Sequence, residues 1–152
     1  MSIKFVHANI VSKDLRALSK FYQDVFECVS ACQPKEMSGD WVDRGTGVQN
    51  AKIKCVHLRL PGYDQDGPTL EIFEYDLVED KQVPIANRLG FGHIAFLVDD
   101  VEATRRRILH SGGSDMGQLT EHEIPGTGKL TFVYMKDPEG NIIEIQKRDK
   151  MK

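Results

Sequence analysis

Two stretches of the chain match each other. Residues 7–15 read His-Ala-Asn-Ile-Val-Ser-Lys-Asp-Leu, and residues 93–101 read His-Ile-Ala-Phe-Leu-Val-Asp-Asp-Val. Placing His7 over His93, an offset of 86 (93 − 7), also places Asp14 over Asp100 and Leu15 over Val101. Each copy opens with a histidine on a strand pattern and carries, as its penultimate residue, an aspartate suited to cap a helix. In the second copy, entered through Gly90-Phe91-Gly92, Ile94, Phe96 and Val98 fall on one face of a strand. His93, Ala95 and Leu97 fall on the other. A chain that uses one supersecondary unit twice has few folds open to it.

The remaining signals fit the order strand, helix, strand, strand, strand in each copy. The first copy has a strand over 3–11 and a helix from about 15 to 27. In that helix Leu15, Leu18, Phe21, Tyr22, Val25 and Phe26 make one apolar stripe. A short strand over 28–36 and a polar loop or partly helical excursion over 37–50, holding Trp41, lead to strands at 51–60 and 69–75. Trp41 reads as a lid over a pocket or as a local anchor. Residues 76–89 read as a linker. The second copy has a strand at 91–98, a helix from about 100 to 111, and strands near 114–123, 129–136 and 141–147. From Arg148 the charged tail is expected to fray. One helix per copy covers one sheet face and leaves the other open. The expectation is an α+β fold in which two repeated modules, about 3–75 and about 90–147, form a single domain over 1–152 with a cupped mixed sheet.

Bulk properties narrow the function classes. With 152 residues, 40% hydrophobic and 28% charged, the chain is an ordinary globular protein. A net charge of −3 gives no electrostatic case for nucleic acid or an anionic membrane. Arg105-Arg106-Arg107 lies on the second helix and reads as a solvated face. Cys28, Cys32 and Cys55 are odd in number and form no Cys-x-x-Cys pair, and no signal-peptide pattern or membrane-length apolar run is seen. The expected setting is a reducing cytoplasm with free, mostly buried thiols.

The chemistry rests on a second matched pair. Glu71 and Glu144 each sit in the fourth strand of their copy between branched apolar residues, with an offset of 73 (144 − 71). Alternation sends Leu70, Ile72, Ile143 and Ile145 to the covered face and both glutamates to the open one, the face of His7 and His93. A carboxylate among strand hydrophobics is costly unless it is paired or bound to metal. A lone strand histidine is more often a structural hydrogen-bonding residue, and a lone glutamate is usually just solvated. Two of each in repeat-related places point instead to one divalent cation. Mixed nitrogen and oxygen donors suit Zn, Mn, Fe, Co or Ni. Four protein ligands in an octahedral site leave two positions for water or a bidentate substrate.

The chain resembles the vicinal oxygen chelate superfamily, the glyoxalase, bleomycin-resistance and extradiol-dioxygenase group. The resemblance spans residues 4–147. It is carried by His7, Phe21-Tyr22, Leu70-Glu71-Ile72, Gly92-His93-Ile94-Ala95-Phe96 and Asp137-Pro138-Glu139-Gly140-Asn141 leading to Glu144. It implies paired βαβββ modules and a divalent metal held at His7, Glu71, His93 and Glu144. All four ligand positions are filled, as in glyoxalase I. Methylmalonyl-CoA epimerases are similar but commonly carry glutamine where Glu71 stands. The Gly126-Thr127-Gly128 turn resembles the epimerase-like branch. Two departures stand out: Val11 replaces an arginine and Tyr75 an asparagine that help hold glutathione in glyoxalase I. The resemblance therefore implies a lyase or isomerase that is not specific for glutathione.

The mechanism expected is proton transfer next to a metal-bound carbonyl of a small molecule. In these families a ligand glutamate can serve as the base, so Glu144 and Glu71 are the catalytic candidates, with Glu144 favoured on its motif. Arg59, Asn9, Trp41 and Tyr134 are candidates for substrate binding, and His57 and Phe132 could also line the cup. Glu74 has the parity of the covered face, for which alternation gives no account. A homodimer is expected by analogy, with the cup formed within one chain or between chains. The competing readings are a non-catalytic small-molecule binding or resistance protein and an Fe(II) dioxygenase.

Overall fold

The computed structural model describes residues 3–150. The chain divides after Lys81 into two compact units. In the first, β1 (His7–Val11), α1 (Leu15–Phe26), β2 (Val29–Ser30), β3 (Lys35–Ser38), α2 (Asp40–Thr46), β4 (Lys52–Arg59) and β5 (Thr69–Tyr75) follow in order. In the second come β6 (Ile94–Leu97), α3 (Val101–His110), β7 (Ser114–Asp115), β8 (Thr120–Ile124), β9 (Gly128–Lys136) and β10 (Ile142–Lys150). Each unit holds one mixed five-stranded sheet. The first is ordered β1-β5-β4-β2 with β3 also on β4; the second is ordered β6-β10-β9-β7 with β8 also on β9. The same topology appears twice: a parallel pair (β1 with β5, β6 with β10), then an antiparallel hairpin (β4 with β5, β9 with β10).

The sequence explains the helices and where they pack. Asp14 accepts the Ala17 N–H at 2.9 Å and Asp100 the Ala103 N–H at 2.8 Å, so the two aligned aspartates are both N-caps. α1 turns Leu15, Leu18, Phe21, Tyr22, Val25 and Phe26 inward, against β4 and β5. There Val56, Leu58, Leu70 and Ile72 are buried. Burying side chains of this size contributes roughly 1.5–3 kcal/mol each. α3 buries only Val101, Thr104 and Ile108, over Val133, Met135, Ile143 and Ile145 of its own sheet. Glu74 has its account here: Oε2 accepts the Leu15 N–H at 3.0 Å and Oε1 meets Lys54 Nζ at 3.4 Å, so it holds the start of α1 to the sheet. Arg105 forks onto Asp115 at 2.7 and 2.8 Å and meets Glu102, tying α3 to β7 within the Arg105–Arg107 run.

Several boundaries differ from expectation. The strand expected over 3–11 starts at His7, and the one expected over 91–98 covers only Ile94–Leu97, leaving His93 at its threshold. The single strands expected at 28–36 and 114–123 are each broken in two, because β4 and β9 are long enough to pair with two short partners in succession. The excursion at 37–50 contains β3 and a second helix, α2, so the first unit has two helices rather than one. Trp41 does not anchor that helix. It is 63% exposed, and its neighbour Val42, at 3%, packs with Ala51 and Ile53 instead. The tail does not fray at Arg148: Arg148, Asp149 and Lys150 continue the ladder opposite Leu130, Lys129 and Gly128.

Candidate functional site

The two sheets place their acidic and imidazole groups by one rule. In the parallel pair of the first unit, Glu71 lies opposite Asn9, two residues beyond His7. In the second, Glu144 lies opposite Ala95, two residues beyond His93. Each histidine is therefore a diagonal neighbour of its glutamate, on the face that the helix leaves open. The side chains meet. His7 Nδ1 stands 3.3 Å from Glu71 Oε1, and His93 Nε2 stands 3.0 Å from Glu144 Oε2.

The antiparallel partners complete each row. His57 lies opposite Glu71 and Tyr134 opposite Glu144, so Asn9, Glu71 and His57 form one row across the first sheet. Ala95, Glu144 and Tyr134 form its counterpart in the second. His57 Nδ1 is 3.0 Å from Glu71 Oε1. Asn9 Nδ2 donates to the Glu71 carbonyl oxygen at 3.4 Å. Arg59 falls in the adjacent row, paired with Thr69, which itself pairs with His7. It also edges a shallow cleft of about 270 Å³ with Glu27, Val29, Tyr63 and Gln65. The ring of Tyr134 lies 4.7 Å from that of His93. Partial burial, and after it the charge of Glu144, hold the Tyr134 phenol above its ordinary pKa. Of the expected substrate-binding residues, Asn9, Arg59 and Tyr134 share sheet faces with the histidine–glutamate pairs of their own units. Trp41 is not on a sheet; it stands on α2.

His57 is the residue whose importance the alternation pattern understated. A signal for it was present. A hairpin folded about Asp64, the middle of the Pro61–Pro68 turn, puts residue 57 opposite residue 71. A hairpin folded about Glu139 puts 134 opposite 144. Loop lengths also explain the unequal offsets of the histidine and glutamate pairs. His57 follows His7 by 50 residues (57 − 7) and Tyr134 follows His93 by 41 (134 − 93), so the first unit carries an extra excursion. The hairpin steps are 14 (71 − 57) and 10 (144 − 134), so the second turn is tighter.

That tighter turn is the Asp-Pro-Glu-Gly-Asn motif, and its role is structural. Asp137 is 2% exposed. Its Oδ1 accepts the N–H groups of Glu139 and Asn141, each at 2.9 Å, and Oδ2 accepts Asn141 Nδ2 at 2.6 Å. The carboxylate closes the turn that sets the register of β10, and with it the position of Glu144.

The donor set of each unit fits a borderline divalent cation: a solvent-reachable imidazole nitrogen beside a carboxylate oxygen that is largely withdrawn from water. Among the described residues, no group of three or more His, Cys, Asp or Glu side chains is arranged to hold a metal by itself. The histidines and glutamates are instead paired with one another. The three cysteines are free thiols, and burial pushes Cys28 up to about 12. Among the described residues no helix is long and apolar enough to cross a membrane.

Comparison with known proteins agrees with this architecture. The family model described as the glyoxalase/bleomycin resistance protein/dioxygenase superfamily matches residues 4–145. A glyoxalase family protein from Bacillus cereus is similar over 97% of this chain and 95% of its own, with a TM-score of 0.84 and 17% identity. The fosfomycin resistance protein FosX from Listeria monocytogenes is similar over 98% and 96%, with a TM-score of 0.59 and 18% identity. A mutant of glyoxalase I from Zea mays matches 93% of this chain and 46% of its own, with a TM-score of 0.64 and 15% identity. At these identities the likenesses show the fold. No curated protein matches the chain. The superfamily includes metalloenzymes and resistance proteins, and the specific reaction varies among its members. Through the family match over residues 4–145 and a repeated module that carries the same histidine and glutamate twice, the chain belongs to the glyoxalase/bleomycin resistance protein/dioxygenase superfamily.

Proposed function

We propose that the protein is a divalent-metal-dependent lyase or isomerase that moves a proton next to the carbonyl of a small molecule. One observation carries this reading. Two sheets of the same topology each bring one imidazole within 3.3 Å of one carboxylate, at the same register. In the proposed site His7 and Glu71 from one module and His93 and Glu144 from the other hold a single Zn, Ni, Co, Mn or Fe ion. The modules come from one chain or from two copies in a homodimer. A bound divalent ion supplies Lewis acidity, stabilising the negative charge that develops on the carbonyl oxygen.

The protein's own groups do the rest. His7 and His93 act as neutral donors. Glu144 takes the proton from carbon and returns it to the neighbouring position or face. Glu71 stays in place. Their surroundings support this assignment: two imidazoles lie against Glu71 and one against Glu144. Asn9, Arg59 and Tyr134 flank the substrate. Arg59 carries no ion pair among the described residues and is suited to a carboxylate or phosphate on it. Free cysteines and the absence of a basic excess favour a cytoplasmic setting with no nucleic-acid or membrane partner.

The test is solvent exchange in deuterated water. Metal-supplemented protein is incubated with a panel of small carbonyl compounds bearing an acidic C–H, such as 2-hydroxy ketones, hemithioacetals and 2-methyl thioesters. Deuterium entering the carbon next to a carbonyl supports the proposal. Binding of panel members without exchange would contradict the proposal and leave the open faces as a small-molecule binding surface alone.

A further inference from the structure

Among the described residues, His57 is the one imidazole in contact with a repeat-related glutamate that has no imidazole counterpart in the other module. Its repeat-equivalent is Tyr134: both lie opposite the glutamate on the antiparallel neighbour of the glutamate strand. The two glutamates are therefore held differently. Glu144 has a single imidazole at 3.0 Å. Glu71 is 7% exposed and has two, and both approach the same oxygen, His57 Nδ1 at 3.0 Å and His7 Nδ1 at 3.3 Å from Oε1. Neither contact uses Oε2.

The other nitrogen of His57 is also engaged. Its Nε2 lies 3.8 Å from Cys55 Sγ, two residues back on the same strand and the same face. A thiol donates to Nε2 and leaves the proton on Nδ1, the tautomer that donates to Glu71. Cys55 is wholly buried, which keeps it a thiol rather than a thiolate. The ring is thus fixed at both ends, in a chain running Cys55 to His57 to Glu71. Second-sphere groups of this kind fix the orientation of a metal-ligand carboxylate and decide which oxygen it presents.

We propose that His57 is a positioning residue: by donating from Nδ1 to Glu71 Oε1 it locks that carboxylate, leaves Oε2 to meet the cation, and makes Glu71 the fixed glutamate of the pair. This rests on the proposed metal site and deepens it. The module carrying His57 anchors the ion. The module carrying Tyr134, which places no such clamp on Glu144, supplies the glutamate free to move.

The test uses cobalt(II) alone and reads affinity, by competition with a chromophoric chelator on the full chain. His57→Phe keeps the ring's bulk and removes the donor. His57→Gln carries an amide N–H one bond farther out, near the place of Nε2. His57→Asn returns an N–H close to the place of Nδ1. The expected result is a loss of roughly 10–100-fold in cobalt affinity for His57→Phe and His57→Gln. His57→Asn should stay within about threefold of wild type, since its N–H still reaches Oε1. A packing role would not separate Asn from Gln in that order. Equal affinity of wild type and His57→Phe overturns the inference and leaves the metal site standing. So does His57→Asn binding as weakly as His57→Phe. Should His57→Phe fail to fold, judged by circular dichroism, the Asn and Gln variants decide alone. No cobalt on the wild type overturns the metal reading and this inference together.

Discussion

Glutamates on two repeat-related strands differ in what holds them, and that difference predicts how they respond to the same substitution. Glu144→Gln removes the proposed base while keeping an oxygen donor, so deuterium exchange should fall by roughly 10²–10⁴-fold. Glu71→Gln has a single oxygen to share between the His57 donor and the cation, so it should weaken metal binding, but under saturating metal it should keep exchange within about tenfold because no proton need be taken there. Exchange rates of the two variants under saturating metal check this, and equal losses would contradict the division of labour. At this scale the sequence was informative for His7, Glu71, His93 and Glu144, because strand alternation needs only residue order. It was less so for His57, whose weight depends on a partner 14 residues away (71 − 57). Of the two readings of Trp41, lid or local anchor, the anchor is excluded, because the small core under α2 is closed by Val42, Ala51 and Ile53.

Turns, caps and strand ends carry the placement of these groups. Asp137→Ala removes a buried carboxylate and leaves the Glu139 and Asn141 N–H groups without their acceptor. The expected cost is about 3 kcal/mol, read from urea denaturation. Metal affinity should weaken with it, since the turn fixes the register of β10. An unchanged midpoint would mean that the motif does not hold the hairpin. The long strands and both major helices were legible because each has a clear period and an aspartate cap. The two-residue strands β2 and β7 were not. So short an element has no period of its own and exists only because β4 and β9 offer an unpaired edge. The ladder through Lys150 was missed for a related reason: charge at positions 147–150 reads as a solvated tail, yet β9 supplies backbone partners down to Gly128.

Repetition governs the whole molecule. The internal match of residues 7–15 with 93–101 foretold two repeated modules, and the structure divides into two compact units after Lys81. The fold was legible because a repeated unit with one helix and several strands leaves little choice. The reaction was not, because substrate choice lies in loops and in individual open-face side chains. The central claim is that the two histidine–glutamate pairs serve one divalent ion. The most direct measurement is the metal content of the purified protein by elemental analysis, beside His7→Ala and Glu144→Ala, which remove one ligand from each module. The prediction is about one divalent ion per chain in the wild type, as expected for a single site built from four ligands, and its loss in both variants. No metal in the wild type, even after incubation with Ni, Co, Mn and Zn, would contradict the claim and leave the open faces as a binding surface alone.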